Sequence, residues 1–271
     1  DTGTSNAENA TAKFWNRRST VSLMGNFGEI RLGRDYTPTF WNQTLYDPFG
    51  TNGIGTTTLV FGQSMLGTNA QTRVRADNSI GYFTPAMGGF EAHVMISPNE
   101  SAAATTGNKY TGVRVGYAVG PISLGASLGQ TTVIPVSQGD DKLELTNLAG
   151  SYKFGSTKVN IQWAQSKTGG LKEANLQLGL VATMGQGEIR AAWNKVNHSG
   201  GAVASGLGDA DDSTHIALGY VYNLSTRTAL YGTVASLKNK GALKQTIAGS
   251  ATGMLGGETS SGFEAGLRHF F

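Results

Sequence analysis

The chain has 271 residues, of which 39% are hydrophobic and 14% charged, with a formal net charge of +3 and no cysteine. The lack of cysteine excludes disulfides and thiolate chemistry, and no run of lysine or arginine is long enough to follow a nucleic-acid backbone, so nucleic acid is not an expected partner. No stretch approaches the roughly 18 apolar residues of a membrane helix. These observations leave a soluble β protein and a membrane β-barrel as possible classes. A barrel is compatible with this composition because only every second side chain of its strands faces lipid.

Two predicted strands begin the chain. The first covers about residues 17–24, and a glycine-flanked turn at residues 25–28 joins it to a second strand that reaches residue 34. Strict alternation from Val21 and Leu23 turns Arg17 toward the apolar side of the sheet. The same alternation turns Arg18 toward the opposite side.

A long connection without a convincing strand occupies residues 35–76. Loops of this length in a compact fold are usually functional or disordered, and this one is too apolar for a solvated tail. We therefore predict that it folds into the interior of the protein and narrows it. Its candidate site residues are Asp35, Trp41, Tyr46, Asp47, Phe49 and Arg73.

Alternation with a period of two then recurs to the carboxyl end. In residues 157–164, Val159, Ile161 and Trp163 form an apolar face between polar residues, which is typical of a strand with one face in apolar surroundings. The other apolar faces are Phe90, Ala92, Val94 and Ile96; Val113, Val115 and Tyr117; Ile122, Leu124, Ala126 and Leu128; Leu176, Leu178 and Leu180; Ile189, Ala191 and Trp193; Ile216, Leu218, Tyr220 and Tyr222; and Phe263, Ala265 and Leu267.

The opposite faces carry small and charged residues, such as Ser123, Gly125 and Arg114. Such residues line a water-filled barrel interior, whereas a soluble β-sandwich turns its apolar faces inward. The connections favour the barrel, because short turns alternate with long loops as on the two rims of an up-and-down membrane barrel. The long connections are predicted near residues 35–76, 98–109, 132–142, 167–173, 198–212 and 238–258.

The strand count is odd. Six hairpins across the short turns and a final strand at residues 259–271 make thirteen strands. A single-chain bacterial barrel has an even number of strands. We therefore expect an odd number of strands before residue 1, unless the polar start of the chain contains another one, and we expect that these thirteen alone do not close a barrel.

Arginines at interior positions indicate the selectivity of the channel. An arginine facing lipid at mid-membrane costs about 2 to 4 kcal/mol, so these side chains are expected at the lumen or a rim. Fixed guanidiniums in a narrow aqueous passage attract anions and repel cations, although Glu91, Glu188 and Glu264 also appear inward and oppose them. The candidate basic residues of the constriction are Arg17, Arg75, Arg31, Arg34, Arg18 and Arg114.

Signals for catalysis are weak. The four histidines lack metal-ligand spacing, no nucleophile-elbow sequence occurs, and the glycine-rich residues 50–55 have no following lysine to bind phosphate. We expect no enzymatic activity, no metal and no cofactor.

From about Phe14 onward the chain resembles the general porins of Gram-negative β-proteobacteria, of the neisserial and Comamonas/Delftia kind. Such porins are homotrimers of 16-stranded outer-membrane barrels with a third loop folded into the lumen. The resemblance therefore implies passive diffusion of small hydrophilic solutes and ions through an all-β, antiparallel up-and-down barrel formed by a single domain, residues 1–271. It is carried by residues 16–23 (NRRSTVSL), 25–35 (GNFGEIRLGRD), 75–80 (RADNSI), 218–231 (LGYVYNLSTRTALY) and 266–271 (GLRHFF).

The resemblance also implies roles for particular residues. Arg17 and Arg75 match positions on the basic side of the pore constriction, and residues 35 to about 72 match the constriction loop. Phe271 matches the terminal residue that the barrel-assembly machinery reads, and outer-membrane lipid and lipopolysaccharide are further partners. Three strands and another wall arginine are implied before residue 1. Since alternation turns Arg17 outward, either a bulge intervenes or the facing of that strand is reversed.

Two other functions are compatible with these residues. One is a substrate-specific outer-membrane channel, for example for small organic anions. The other, with less support, is an outer-membrane enzyme built on a barrel, which would need a nucleophile and a base near one rim.

Overall fold

The computed structural model describes residues 15, 17–62, 65–68, 70, 72–98, 109–134, 141–201, 208–247 and 254–270. Over these ranges the chain forms one antiparallel sheet of thirteen strands, in which each strand pairs with its neighbours in sequence. The strands are β1 (Ser19–Gly25), β2 (Gly28–Tyr36), β3 (Arg75–Phe83), β4 (Phe90–Ser97), β5 (Tyr110–Val119), β6 (Ile122–Thr132), β7 (Lys142–Phe154), β8 (Thr157–Thr168), β9 (Leu171–Met184), β10 (Gly187–Ser199), β11 (Ser213–Asn223), β12 (Thr228–Asn239) and β13 (Thr259–His269).

The up-and-down strand order confirms the predicted all-β antiparallel architecture. Among the described residues, β1 pairs with β2 alone and β13 with β12 alone, so the sheet is open between these two edges. In the same part of the chain, no helix has the length and apolar character needed to cross a bilayer.

The two faces of the sheet differ in chemistry, as the alternation predicted. One face carries exposed apolar side chains, among them Leu128 and Ile216, which are each 56% exposed. The other face carries buried polar side chains, including Asn147, Gln162 and Asn194. A membrane barrel turns its apolar face to lipid and its polar face to the lumen. We refer to these two surfaces as the outer face and the inner face.

Two connections differ from the predicted ones. Gly169 and Gly170 alone join β8 to β9, where a long loop was expected at residues 167–173, because strand pairing continues to Thr168 and Leu171. Gly169 has a φ of 55°, the left-handed conformation that tight two-residue hairpins require. The connection expected at residues 35–76 is shorter at both ends and covers residues 37–74. The other predicted long loops lie partly outside the described residues.

Residues 37–74, which we call the inserted segment, contain a helix that the sequence reading did not predict. This helix, α1 (Pro38–Tyr46), begins after Thr37, whose side-chain oxygen accepts a hydrogen bond from the Phe40 amide at 3.4 Å. A threonine cap followed by proline is a common helix start, because proline has no amide hydrogen to leave unpaired. Two short 3-10 turns follow, at Thr57–Leu59 and Met65–Gly67.

Candidate functional site

Helix α1 packs on the inner face of the sheet. Asn42 Nδ2 donates to Asn147 Oδ1 at 2.6 Å, and the hydroxyls of Tyr46 and Ser123 share a hydrogen bond of 2.9 Å. The close approach requires glycine at position 125, since a Cβ there would lie 2.3 Å from Asn42 Oδ1. The small inner-face residues noted in the sequence therefore make room for the inserted segment.

The second half of the segment binds strands farther along the sheet. Thr57 Oγ1 donates to Asn194 Oδ1 at 2.7 Å and accepts from Asn175 Nδ2 at 3.0 Å. His215 Nε2 donates to the carbonyl of Ile54 at 3.0 Å. The inserted segment thus crosses the inner face from β6 and β7 to β9, β10 and β11.

Apolar contacts accompany these hydrogen bonds. Phe49, Val60 and Phe61 of the segment are at most 6% exposed. They pack in one cluster with small and aliphatic inner-face residues, and burial of this kind contributes about 25 cal/mol per Å² of apolar surface removed from water. The inner-face members of the cluster on β8 to β12 are Ala164, Ala192, Val196, Ala217, Ala235 and Leu237.

Asp47 is a buried acceptor at the end of α1. Its two carboxylate oxygens accept from the Phe49 amide at 2.8 Å, the Thr56 hydroxyl at 2.9 Å and the Thr57 amide at 2.9 Å. Burial raises the pKa of the Asp47 carboxyl, against the opposing effect of these three hydrogen bonds. The residue joins the two halves of the inserted segment and is only 5% exposed.

Arg73 holds the return of the segment toward β3. Its guanidinium donates to the carbonyls of Gly62 at 3.0 Å and Phe61 at 2.6 Å. The Gly62 amide in turn donates to Glu173 Oε1 on the inner face at 2.9 Å. Arg73 therefore binds the backbone of the segment itself, in a partly buried position.

An apolar stripe remains exposed on α1. Trp41 and Leu45, one helical turn apart, are each 38% exposed. They lie away from the side of α1 on which Asn42 and Tyr46 bind the sheet.

Two arginines meet at Asp35, the penultimate residue of β2. Arg18 Nε lies 3.3 Å from Asp35 Oδ1, and Arg31 Nη1 lies 2.5 Å from Asp35 Oδ2. Arg31 also donates from Nε to Glu29 Oε1 at 2.7 Å, and its guanidinium lies 4.2 Å from the centroid of the Phe83 ring. Carboxylates and an aromatic ring thus fix the Arg31 guanidinium in place.

Two further arginines meet at the next residue, Tyr36. Arg75 Nη2 donates to the Tyr36 hydroxyl at 3.1 Å, and its guanidinium carbon lies 4.7 Å from the ring centroid. Arg17 also hydrogen-bonds the Tyr36 side chain. The Tyr36 ring stacks on Phe40 at 5.2 Å and on Trp41 at 6.2 Å between centroids. Both arginines therefore lie beside the start of α1.

The four arginines form one group around the point where β2 passes into the inserted segment. Two described carboxylates belong to the same group: Asp35 pairs with Arg18 and Arg31, and Glu29 pairs with Arg31. We call the four arginines of this group the arginine cluster; its members are Arg17, Arg18, Arg31 and Arg75.

Arg17 and Arg18 directly precede β1, and their contacts lie at the end of β2. The β1–β2 register is regular from Ser19 opposite Arg34 to Gly25 opposite Gly28, whereas the β2–β3 register shifts between Gly33 and Asp35. Arg18 lies with the buried Asp35 on the inner face, as alternation indicated. Arg17 hydrogen-bonds the side chain of Tyr36, the residue after Asp35.

The other two predicted basic residues lie outside the arginine cluster. Arg34 Nη1 is 2.8 Å from Asp77 Oδ1. Arg114 is 4% exposed and donates to Asn42 Oδ1 at 2.9 Å and to Glu91 Oε1 at 2.6 Å. Arg114 therefore anchors α1 to the wall.

The described residues bear only partly on two predictions, the role of Phe271 and the lack of a metal site. Phe271 lies outside the described residues. Within the described part of the chain there is no group of three or more histidine, aspartate or glutamate side chains that could hold a metal ion.

Sequence reasoning missed Tyr36 and the carboxamides that bind the inserted segment. Tyr36 had one available signal, its position directly after Asp35 at the end of a predicted strand. For the carboxamides, the only signal was an inner-face position in the alternation of Asn147, Asn175 and Asn194. Their hydrogen-bond partners in the inserted segment are more than 100 residues distant in sequence.

Comparisons with known proteins agree with the observed fold. A family model described as Gram-negative porin matches residues 2–242. Outer membrane porin protein 32 of Delftia acidovorans is 37% identical over 97% of this chain and 76% of its own length. An outer membrane porin protein of Bordetella pertussis is 25% identical over 84% of this chain and 68% of its own length. The solved structure of an anion-selective porin from Comamonas acidovorans has a TM-score of 0.80 and 35% identity, and the match covers 94% of this chain and 78% of that one.

Proposed function

This chain belongs to the Gram-negative porin family and is an outer-membrane channel for passive diffusion, and we propose that the channel favours small anions over cations. The observation that carries the proposal is the arginine cluster, in which four guanidiniums lie around the start of the inserted segment. Guanidinium stays charged at every relevant pH. Fixed positive charge beside a narrow aqueous passage raises the local concentration of anions and lowers that of cations.

The inserted segment is the element that narrows the passage in this proposal. It crosses the inner face, and its Trp41 ring lies 6.2 Å from the Tyr36 ring that two of the arginines bind. The guanidiniums and the apolar stripe of α1 are therefore neighbours. An ion that passes along the stripe comes within about a Debye length, roughly 10 Å at 0.1 M salt, of the cluster.

The relatives support the same selectivity. The Comamonas acidovorans porin, which is 35% identical, is described as anion-selective. The interior glutamates reduce the positive surplus elsewhere, since Glu188 pairs with Arg190 at 2.6 Å and Glu91 with Arg114 at 2.6 Å. These two pairs are formally neutral, and the proposed selectivity rests on the arginine cluster.

Assembly follows from the family in this proposal. The active form is a homotrimer, lipopolysaccharide and other outer-membrane lipids surround it, and the barrel-assembly machinery reads the terminal Phe271. The function includes no catalytic step and no cofactor.

Planar-bilayer recording in a roughly tenfold potassium chloride gradient tests the proposal. The zero-current potential is expected on the chloride side, because the cluster admits anions more readily. Conductance is expected to appear in groups of three equal steps, one for each channel of a trimer. A zero-current potential at zero or on the potassium side would contradict anion preference, and isolated single steps would contradict the trimer.

A further inference from the structure

Glu173 is a buried acid on the inner face, near the start of β9. Its side chain is fully buried, and its Oε1 accepts from the Gly62 amide of the inserted segment at 2.9 Å. Burial of a carboxylate is costly unless charged or polar groups compensate it. The groups around Glu173 therefore decide whether the carboxylate can hold the segment.

The turn at Gly62 is built around the guanidinium of Arg73. This guanidinium donates to the carbonyls of Phe61 and Gly62, and its charge acts on Glu173. A Cβ at position 62 would lie 1.8 Å from the guanidinium carbon, and the φ of Gly62 is 77°. Glycine is therefore required here, and the turn presents its amide to Glu173 while it encloses a positive charge.

A histidine approaches Glu173 from the neighbouring strand. His198 pairs with Glu173 across β9 and β10, and its Nε2 lies 3.7 Å from Glu173 Oε1. His198 Nδ1 donates to the carbonyl of Asp211 at 2.6 Å, which fixes the orientation of the ring. A protonated His198 therefore points its second N–H toward the carboxylate.

The second carboxylate oxygen of Glu173 makes no hydrogen bond with any described residue, and neither does the Ser166 hydroxyl opposite it on β8. A proton can therefore bind Glu173 Oε2 without displacing a hydrogen bond. Protonation removes the charge that compensates Arg73 and a protonated His198. It also makes Glu173 a weaker acceptor for the Gly62 amide, because a hydrogen bond to an ionised group is the stronger kind.

Two more acids lie on the far side of His198, where they are engaged in other contacts. The Asp212 carboxylate accepts from the His198 amide at 3.3 Å, and the Asp211 carboxylate accepts from two backbone amides. Among the described residues, the side chains that face Glu173 are Arg73 from the inserted segment, Ser166 from β8 and His198 from β10.

We propose that Glu173 is a positioning residue for the inserted segment and forms, with His198, an acid-sensitive latch on Gly62. The ionised carboxylate holds the Gly62 amide, and Arg73 and a protonated His198 compensate its charge. Proton uptake by Glu173 weakens this hold and loosens the part of the segment that returns toward β3. The latch is therefore closed at neutral pH and opens as the pH falls. It rests on the proposed role of the segment in narrowing the passage.

Hydrogen-exchange mass spectrometry, resolved to the Gly62 amide, tests the contact in the full-length protein in detergent at about pH 7. Glu173→Gln keeps the side-chain volume and one acceptor oxygen but removes the charge. The Gly62 amide is expected to exchange about fivefold faster in this variant. The matched control is Glu144→Gln, which removes an exposed acid that pairs with Lys167 and is expected to leave the exchange unchanged.

A double-mutant cycle tests the part of His198. His198→Gln is expected to accelerate exchange of the Gly62 amide by a smaller factor than Glu173→Gln does. The double variant Glu173→Gln/His198→Gln is expected to match Glu173→Gln alone, because His198 acts through Glu173. Additive effects of the two substitutions would overturn the pairing of His198 with Glu173 in the latch.

Single-channel recording from about pH 7.5 to about pH 4 tests the acid response. Conductance and current noise of the wild type and of Glu144→Gln are expected to rise as the pH falls. Glu173→Gln is expected to show the raised level at every pH. A wild-type current that does not change with pH would overturn the latch, as would an acid response that persists in Glu173→Gln.

The exchange experiment reports the contact without any ion current. Wild-type exchange of the Gly62 amide in Glu173→Gln would overturn the latch, whatever the selectivity of the channel. A wild-type zero-current potential without anion preference would contradict the proposed function, while faster exchange in Glu173→Gln would still support the latch. Failure of the latch and failure of the proposed anion preference are therefore separate results.

Discussion

Replacement of Arg17 and Arg75 together by glutamine lowers the anion-to-cation permeability ratio about fivefold in 0.1 M salt. The two substitutions remove two positive charges from the arginine cluster. A unit charge about 8 Å from a passing ion contributes about 0.5 kcal/mol in water, and salt at this concentration reduces that by roughly half. The charges act with opposite sign on anions and cations, so their effects on the ratio add.

Zero-current potentials in a salt gradient measure this change. The control is Lys153→Gln/Arg227→Gln, which removes the same formal charge from exposed residues at the rim of the short turns. The control is expected to keep the wild-type ratio. An unchanged ratio in the cluster variant, or an equal decrease in the control, would show that the cluster does not set the selectivity.

Replacement of Asp47 by alanine loosens the inserted segment and raises the single-channel conductance. The substitution leaves the buried amides of Phe49 and Thr57 without their acceptor, at a cost of about 1 to 3 kcal/mol for each group. The strand ladders do not involve Asp47, so the sheet is expected to keep its thermal midpoint.

Asp47→Asn is the matched variant, because its side chain keeps one acceptor oxygen and about the same volume. We expect its conductance and current noise to fall between those of the wild type and Asp47→Ala. Single-channel recording with thermal unfolding of the same preparations distinguishes the cases. A conductance of Asp47→Ala equal to or below the wild-type value would contradict the role assigned to the segment.

The strands could be read from the sequence because a membrane barrel repeats one local rule. Outer and inner positions alternate along each strand, so Leu124 and Leu128 mark a face without knowledge of any partner. The short turns carry their own glycine signal, and the thirteen strands follow from these two local features. At residues 167–173 the strands were predicted correctly but the loop was predicted too long, because strand pairing extends up to the Gly169–Gly170 turn.

The interior arrangement depends on long-range contacts that alternation does not specify. The start of α1 has a local signal in Thr37 and Pro38, but its seat on the inner face depends on Asn147, 105 residues away. The roles of the arginines separate only when the register is known. Arg31 and Arg114 both appear as inward basic residues in the sequence, yet one belongs to the cluster at Asp35 and the other binds α1.

The account depends most on the position of α1 inside the passage, and chemical modification of one introduced cysteine tests this directly. The chain has no cysteine of its own, so Leu45→Cys offers a single reactive thiol on the exposed stripe of α1. An anionic methanethiosulfonate reagent added during single-channel recording is expected to lower the chloride current in one irreversible step per channel, because the adduct adds both bulk and negative charge beside the passage. Leu124→Cys, on the outer face, is expected to show no change. A Leu45→Cys current that stays constant after complete modification, verified by mass, would contradict an α1 that borders the ion path.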